Sequence, residues 1–110
     1  MIIEITEENY EAIVQQTEKP VLLDFYATWC RPCNAFFPTI EKLAEEFYDT
    51  AIIAKVCLDE EFKFNQDIGI QFGVISIPSV VILNKGEIVG TKISGAKPKE
   101  VYRSILSKLL

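Results

Sequence analysis

The spacing of apolar side chains divides this chain into segments of two kinds, short continuous or alternating runs and longer stretches at helical period. Ile2 to Ile5 reads as a brief strand. Thr6 follows as a helix N-cap with Glu7 and Glu8 in the first turn, where the positive end of the helix dipole favours acidic groups, and the helix is expected to run to about Gln16. Pro20 interrupts the chain before Val21-Leu22-Leu23-Asp24-Phe25-Tyr26-Ala27, a nearly unbroken apolar run that fits a central strand covered on both faces. Beyond Cys30-Arg31-Pro32-Cys33, residues Phe36, Phe37, Ile40, Leu43, Ala44 and Phe47 recur at helical spacing to about Tyr48, and Pro38 inside this pattern predicts a kink. Ala51 to Leu58 is a second apolar strand, and a helical crossover between two strands implies that they pair in parallel.

Asn65 is expected to cap a shorter helix that carries Ile68 and Phe72 and ends at Gly73. Ser79 to Leu83, then Asn84-Lys85-Gly86-Glu87, then Ile88 to Ile93 reads as a hairpin, with Gly90 placed to absorb one extra residue as a bulge. Pro98 opens a last helix whose apolar face is Val101, Tyr102, Ile105, Leu106, Leu109 and Leu110. The order βαβαβαββα predicts an α/β fold, one central mixed sheet of about five strands flanked by four helices, in a single domain spanning residues 1–110.

Charge and composition narrow the function. Sixteen acidic against eleven basic residues give a net charge of -5, which disfavours the phosphate contacts of nucleic-acid binding. There is no His, so the commonest general base and metal ligand is missing. Three Cys cannot close a four-ligand metal site, and the odd count argues against a secreted disulfide scaffold. The five Gly match neither a phosphate loop nor a dinucleotide fingerprint. No apolar run approaches a membrane span, and Met1-Ile2-Ile3-Glu4 lacks the basic start of a secretory signal, so a cytoplasmic protein is expected.

The chemistry concentrates at Cys30 and Cys33. Residues three apart on a helix share a face roughly 5 to 6 Å apart, within reach of a disulfide. Unpaired N–H groups at the helix N-terminus stabilise a thiolate on the first Cys, and Pro32 stiffens the first turn without sacrificing a hydrogen bond. The alternatives are a metal knuckle, for which no second ligand pair exists, or two inert buried side chains. Asp24, alone in an apolar strand, is either a buried carboxyl with a raised pKa, fit to accept the Cys33 proton, or a solvated strand end. Lys55 on the next strand is its natural charge partner. Ile77-Pro78 opens a strand and is a candidate cis bond, Trp29 is either a core aromatic or an exposed contact residue, and Cys57 is either an inert buried thiol or a regulatory or dimer-forming one.

Leu23 through Cys33, Ser76-Ile77-Pro78-Ser79, Asn84-Lys85-Gly86-Glu87 and Ser94-Gly95-Ala96 together resemble, in order, the active-site strand, the cis-proline loop, the hairpin and the substrate-facing turn of the thioredoxin family. The resemblance covers essentially the whole chain and implies the thioredoxin-like fold. It implies that Cys30 is the attacking nucleophile, Cys33 the resolving thiol, Asp24 the buried base and Lys55 its partner. Trp29, Ile77, Pro78, Gly95 and Ala96 would form a shallow apolar surface that docks an extended target. The implied activity is reduction of protein disulfides by a monomer without a bound cofactor, with an NADPH-dependent thioredoxin reductase restoring the dithiol. Arg31 stands where the family usually has Gly; with Pro32 and Pro78 it is the expected tuner of the redox pair, and its charge favours the thiolate and a higher reduction potential. Two other readings follow. A more oxidising disulfide exchanger or isomerase is suggested by Arg31, and a non-enzymatic adaptor would bind through the Trp29 and Pro78 surface and tolerate Cys30→Ser.

Overall fold

The computed structural model describes all 110 residues. Strands β1 (Ile2–Glu4), β2 (Val21–Tyr26), β3 (Ile52–Cys57), β4 (Ser79–Asn84), β5 (Glu87–Ile88) and β6 (Ile93–Ser94) form one sheet, and the helices are α1 (Arg31–Glu46), α2 (Lys63–Gln71) and α3 (Lys99–Ser107). A π-wound helical segment, Glu11–Gln15, lies between β1 and β2. The strand order is β1-β3-β2-β4-β5, with β6 also on β4. As the crossover through α1 requires, β2 and β3 are parallel, while β4 runs antiparallel to β2.

Both faces of the sheet are covered, which is why β2 and β4 read as apolar runs with no polar alternation. Leu22, Ile53, Val80 and Ile82 meet Phe36, Ile40, Leu43 and Ala44 of α1 and Tyr102 and Leu106 of α3 on one side. Val21, Leu23, Phe25, Val56, Val81 and Leu83 meet Tyr10, Val14 and Ile68 on the other. The period of two in β2 puts Asp24 on the Leu22 side, beneath α1.

Thr6 caps the turn that precedes the helix and not the helix itself, which starts after Tyr10 with no side-chain cap: the Asn9 N–H donates to Thr6 Oγ1 at 3.3 Å while the Thr6 N–H donates to Asn9 Oδ1 at 2.8 Å. The helix that follows is shorter than expected, with Tyr10 and Val14 buried and Ile13 packed at the margin of the core; the Gln16 N–H then closes on the Glu11 carbonyl five residues back. Helix α1 continues through Pro38, whose missing N–H leaves the Asn34 carbonyl without its donor. Asn65 does not cap α2. It lies inside the helix, buried, and its amide donates to the carbonyls of Cys57 at 3.0 Å and Ile5 at 3.4 Å, tying α2 to the ends of two strands.

The hairpin turns through Lys85 (φ 53°) and Gly86 (φ 84°), the paired positive dihedrals of a type I′ turn. The outer strand is not continuous. Five residue steps from Ile88 to Ile93 stand opposite three from Leu83 to Val80, so two extra residues, not one, are looped out around Gly90, and the strand splits into β5 and β6. On α3, Tyr102 and Leu106 are fully buried and Ile105 packs at the margin while Val101 faces solvent; the helix ends at Ser107, so of the expected face Leu109 packs from the turn beyond it and Leu110 is exposed.

Candidate active site

Three elements converge on the cysteines: the end of β2, the start of α1, and the loop entering β4. Cys30 is the N-cap of α1 in extended conformation, with Arg31 and Pro32 opening the first turn. Cys30 and Cys33 form a disulfide with their Cα atoms 5.3 Å apart, and the Cys33 N–H donates to Cys30 Sγ at 3.2 Å. The helix start therefore offers a hydrogen bond to the sulfur that must carry negative charge when the bridge opens. Both side chains are buried, packed with Ala27 against Tyr26 and Ile77.

The turn from β2 to Cys30 is pinned by groups that sequence inspection missed. The Thr28 N–H donates to Asp59 Oδ1 at 2.9 Å, the Thr28 hydroxyl donates to Asp59 Oδ2, and the Asn34 amide reaches the Thr28 carbonyl at 3.4 Å. The Thr28 hydroxyl bond holds the Asp59 carboxyl below its ordinary range. No local pattern marks this staple, since Thr28 and Asp59 meet only when β2 and β3 pair.

The Ile77–Pro78 peptide is cis, and the Pro78 carbonyl accepts the Gly95 N–H at 2.8 Å. That bond brings the Ser94-Gly95-Ala96 turn beside the proline. Of the expected docking surface, Trp29 is 75% exposed and Ala96 faces solvent, Ile77 and Gly95 are partly covered, and Pro78 is buried. Pro78 thus contributes its backbone and the shape of the loop, not a free apolar face. Ile75, which the sequence did not single out, is 89% exposed on the same loop.

Asp24 is 2% exposed, and its Oδ1 has no hydrogen-bond partner. Burial pushes its carboxyl up to about 7, against the weaker downward pull of the Lys55 ammonium. A cavity of about 200 Å³ lined by Asp24, Tyr26, Cys33, Asn34, Phe37 and Lys55 joins the carboxyl to the second cysteine. Lys55 is placed as expected in register with Asp24, yet its ion pair is with a different carboxylate, Glu4 on β1, at 3.5 Å. Lys55 thus acts on Asp24 as the neighbouring charge expected of it without an ion pair to it, and its ion pair is with the more solvated Glu4 carboxylate.

Cys57 is 3% exposed and the only free cysteine, and burial raises its thiol pKa. This environment fits the inert reading of that residue.

The family model described as thioredoxin matches residues 1–108. Among relatives, the thioredoxin of Bacillus subtilis (strain 168) is 38% identical over 109 residues, covering 99% of this chain and 98% of that protein. The thioredoxin of Chlorobaculum thiosulfatiphilum is 40% identical over 98 residues, covering 89% of this chain and 86% of its own length, and that of Haemophilus influenzae (strain ATCC 51907 / DSM 11121 / KW20 / Rd) is 38% identical over 107 residues, covering 97% and 95%. With a disulfide-forming pair three residues apart at the head of α1 and a protonatable carboxyl sharing a cavity with its second sulfur, the chain belongs to the thioredoxin family of thiol–disulfide oxidoreductases.

Proposed function

We propose that the chain reduces disulfides in proteins through Cys30 and Cys33, with Asp24 taking up the proton that Cys33 must lose. The observation that carries this reading is the cavity shared by Asp24 and Cys33 directly under the redox pair. In the reduced protein the Cys30 thiolate attacks one sulfur of the target disulfide, forming a mixed disulfide and expelling the other target sulfur as a thiolate. Cys33 then gives its proton to Asp24 and attacks Cys30 Sγ. The second target sulfur leaves, the Cys30–Cys33 bridge closes, and two electrons have passed to the target. Trp29, Ile77, Gly95 and Ala96 supply contacts for an extended substrate, and the Pro78 loop supplies backbone.

The cycle is completed by a dithiol-restoring partner, for which an NADPH-dependent thioredoxin reductase is the fitting class. The acidic charge, the single buried third cysteine and the lack of any helix long and apolar enough to cross a membrane suit a monomer working as one domain in a reducing, cytoplasmic compartment.

One observation favours a second reading. Arg31 lies exposed in the first turn of α1, next to the sulfur that becomes a thiolate. Its charge stabilises the reduced pair and so raises the potential. Equilibration against a defined thiol buffer separates the two readings: a potential close to about -270 mV marks a reductase, and one near about -180 mV marks an exchanger or isomerase. Arg31→Gly is expected to lower the potential by about 10–20 mV, the scale of one exposed charge acting on a neighbour, so this charge moves the protein only part of the way from reductase toward exchanger. An unchanged or higher potential in that variant removes Arg31 from the tuning set.

A further inference from the structure

Glu4 lies far from Asp24 in sequence, yet the sheet brings the two into one row. The registers Glu4↔Lys55 and Asp24↔Lys55 set Glu4, Lys55 and Asp24 in one row across β1, β3 and β2, on the face covered by α1. The Lys55 ammonium is 3.5 Å from Glu4 Oε1 and lies over the rings of Phe37 and Tyr26, 4.9 and 5.3 Å from their centres. The Tyr26 hydroxyl donates to the other Glu4 oxygen at 2.9 Å. Tyr26, Phe37 and Lys55 all line the cavity that holds Asp24 and Cys33, so this cluster forms its outer wall.

We infer that Glu4 is a positioning residue for proton transfer between Cys33 and Asp24, acting by holding the Lys55 ammonium at the cavity rim instead of against the Asp24 carboxylate. An ammonium in contact with a buried carboxylate favours its ionised form, and a carboxylate kept ionised is a weaker proton acceptor. Glu4 competes for that cation from the solvent side. The hydroxyl of Tyr26 fixes the orientation of Glu4, and the two aromatic faces stabilise the ammonium where Glu4 holds it. The ionisable groups around Asp24 are Lys55 from β3, Cys33 from α1, Tyr26 from its own strand and Tyr102 from α3, while β4 places the neutral Val80 opposite it. Burial raises both tyrosines, so neither charges across the neutral range.

The inference rests on the reading of Asp24 as the acceptor of the Cys33 proton, and the two are tested separately. Asp24 is titrated by carboxyl-carbon NMR in the oxidised protein, where neither active-site cysteine ionises. Glu4 is half exposed, so Glu4→Gln leaves the fold intact, and it is expected to lower the Asp24 midpoint by about 0.5–1 pH unit as the cation moves inward. Lys55→Met is expected to raise the midpoint, and adding Glu4→Gln to it is expected to recover less than about a third of the single-variant shift. A midpoint that stays put or rises in Glu4→Gln overturns the inference, as does an equal fall with and without Lys55. Loss of the Asp24 role itself shows elsewhere, in an Asp24→Asn protein that reduces disulfides at the unaltered rate.

Discussion

Cys33→Ser is expected to convert a turnover catalyst into a covalent trap. In the intact protein the mixed disulfide on Cys30 is short-lived because Cys33 is held one helical turn away, with its own N–H already bonded to Cys30 Sγ at 3.2 Å. Such intramolecular reactions behave as though the attacking group were present at up to about 10⁵ M or more, far beyond any thiol in solution. A serine hydroxyl keeps the size of the side chain and has no comparable nucleophilicity toward sulfur. The adduct with a disulfide-bonded peptide should therefore persist under non-reducing conditions, while multiple-turnover reduction falls by at least about a thousandfold. Mass mapping must place the adduct on Cys30, because Cys57 is the other thiol left in this variant. Cys30→Ser should trap nothing. An adduct found on Cys57, or none at all, would count decisively against the order of attack proposed here.

Asp24→Asn is expected to make the protein more stable at neutral pH and slower at its chemistry. Burial pushes the carboxyl up to about 7 in the folded chain against an ordinary 3.8. Between those values the unfolded chain has already released the proton that the folded chain still holds, so stability falls as pH rises through this window and stays lower above it. A displacement of about three units corresponds to a penalty on the order of 4 kcal/mol once the window is crossed. Asn is neutral throughout and escapes it. In urea unfolding of the oxidised proteins, the stability of the variant relative to the parent should improve by about 3–4 kcal/mol between pH 3.5 and pH 8. Comparing across pH isolates the charge from whatever the amide does to local packing. Parallel stability curves would mean that the buried carboxyl carries no penalty. The loss of a positioned base should slow the Cys33 step about 10²- to 10⁴-fold at neutral pH, so the gain in stability comes with a loss of function.

Much of this was legible in the chain itself. The apolar run of β2, the helical spacing of α1 and the two cysteines at its head are local patterns, and the structure places all of them where those patterns indicate. Asp24 stood out because a carboxyl in such a run has no local reason to be there. What could not be read depends on register between distant strands. The choice of Glu4 over Asp24 by Lys55 requires β1 to lie beside β3, and the Thr28–Asp59 staple requires β2 and β3 to end level with each other. Asn65 has cap-like chemistry but spends it on the Ile5 and Cys57 carbonyls, partners that only the sheet supplies. The two-residue excess in the last strand shows only by counting across to β4. The family resemblance puts Pro78 on the docking surface, whereas the structure buries it and turns its carbonyl to the Gly95 N–H, a placement that depends on how the loop entering β4 meets the Ser94-Gly95-Ala96 turn.

The burial of Cys57 gives the molecule a clock for its own opening. With the other two cysteines joined, the oxidised chain carries a single thiol, seated at the end of a central strand, 3% exposed, with β2 alongside. Its side chain lies on a face of the sheet beside Tyr26, so a thiol reagent reaches it only when that covering opens; the rate of modification at low reagent concentration reports how often it does, and its dependence on denaturant separates local opening from global unfolding. The opening of the packing around the end of β3 thereby becomes observable through a thiol the chain already carries.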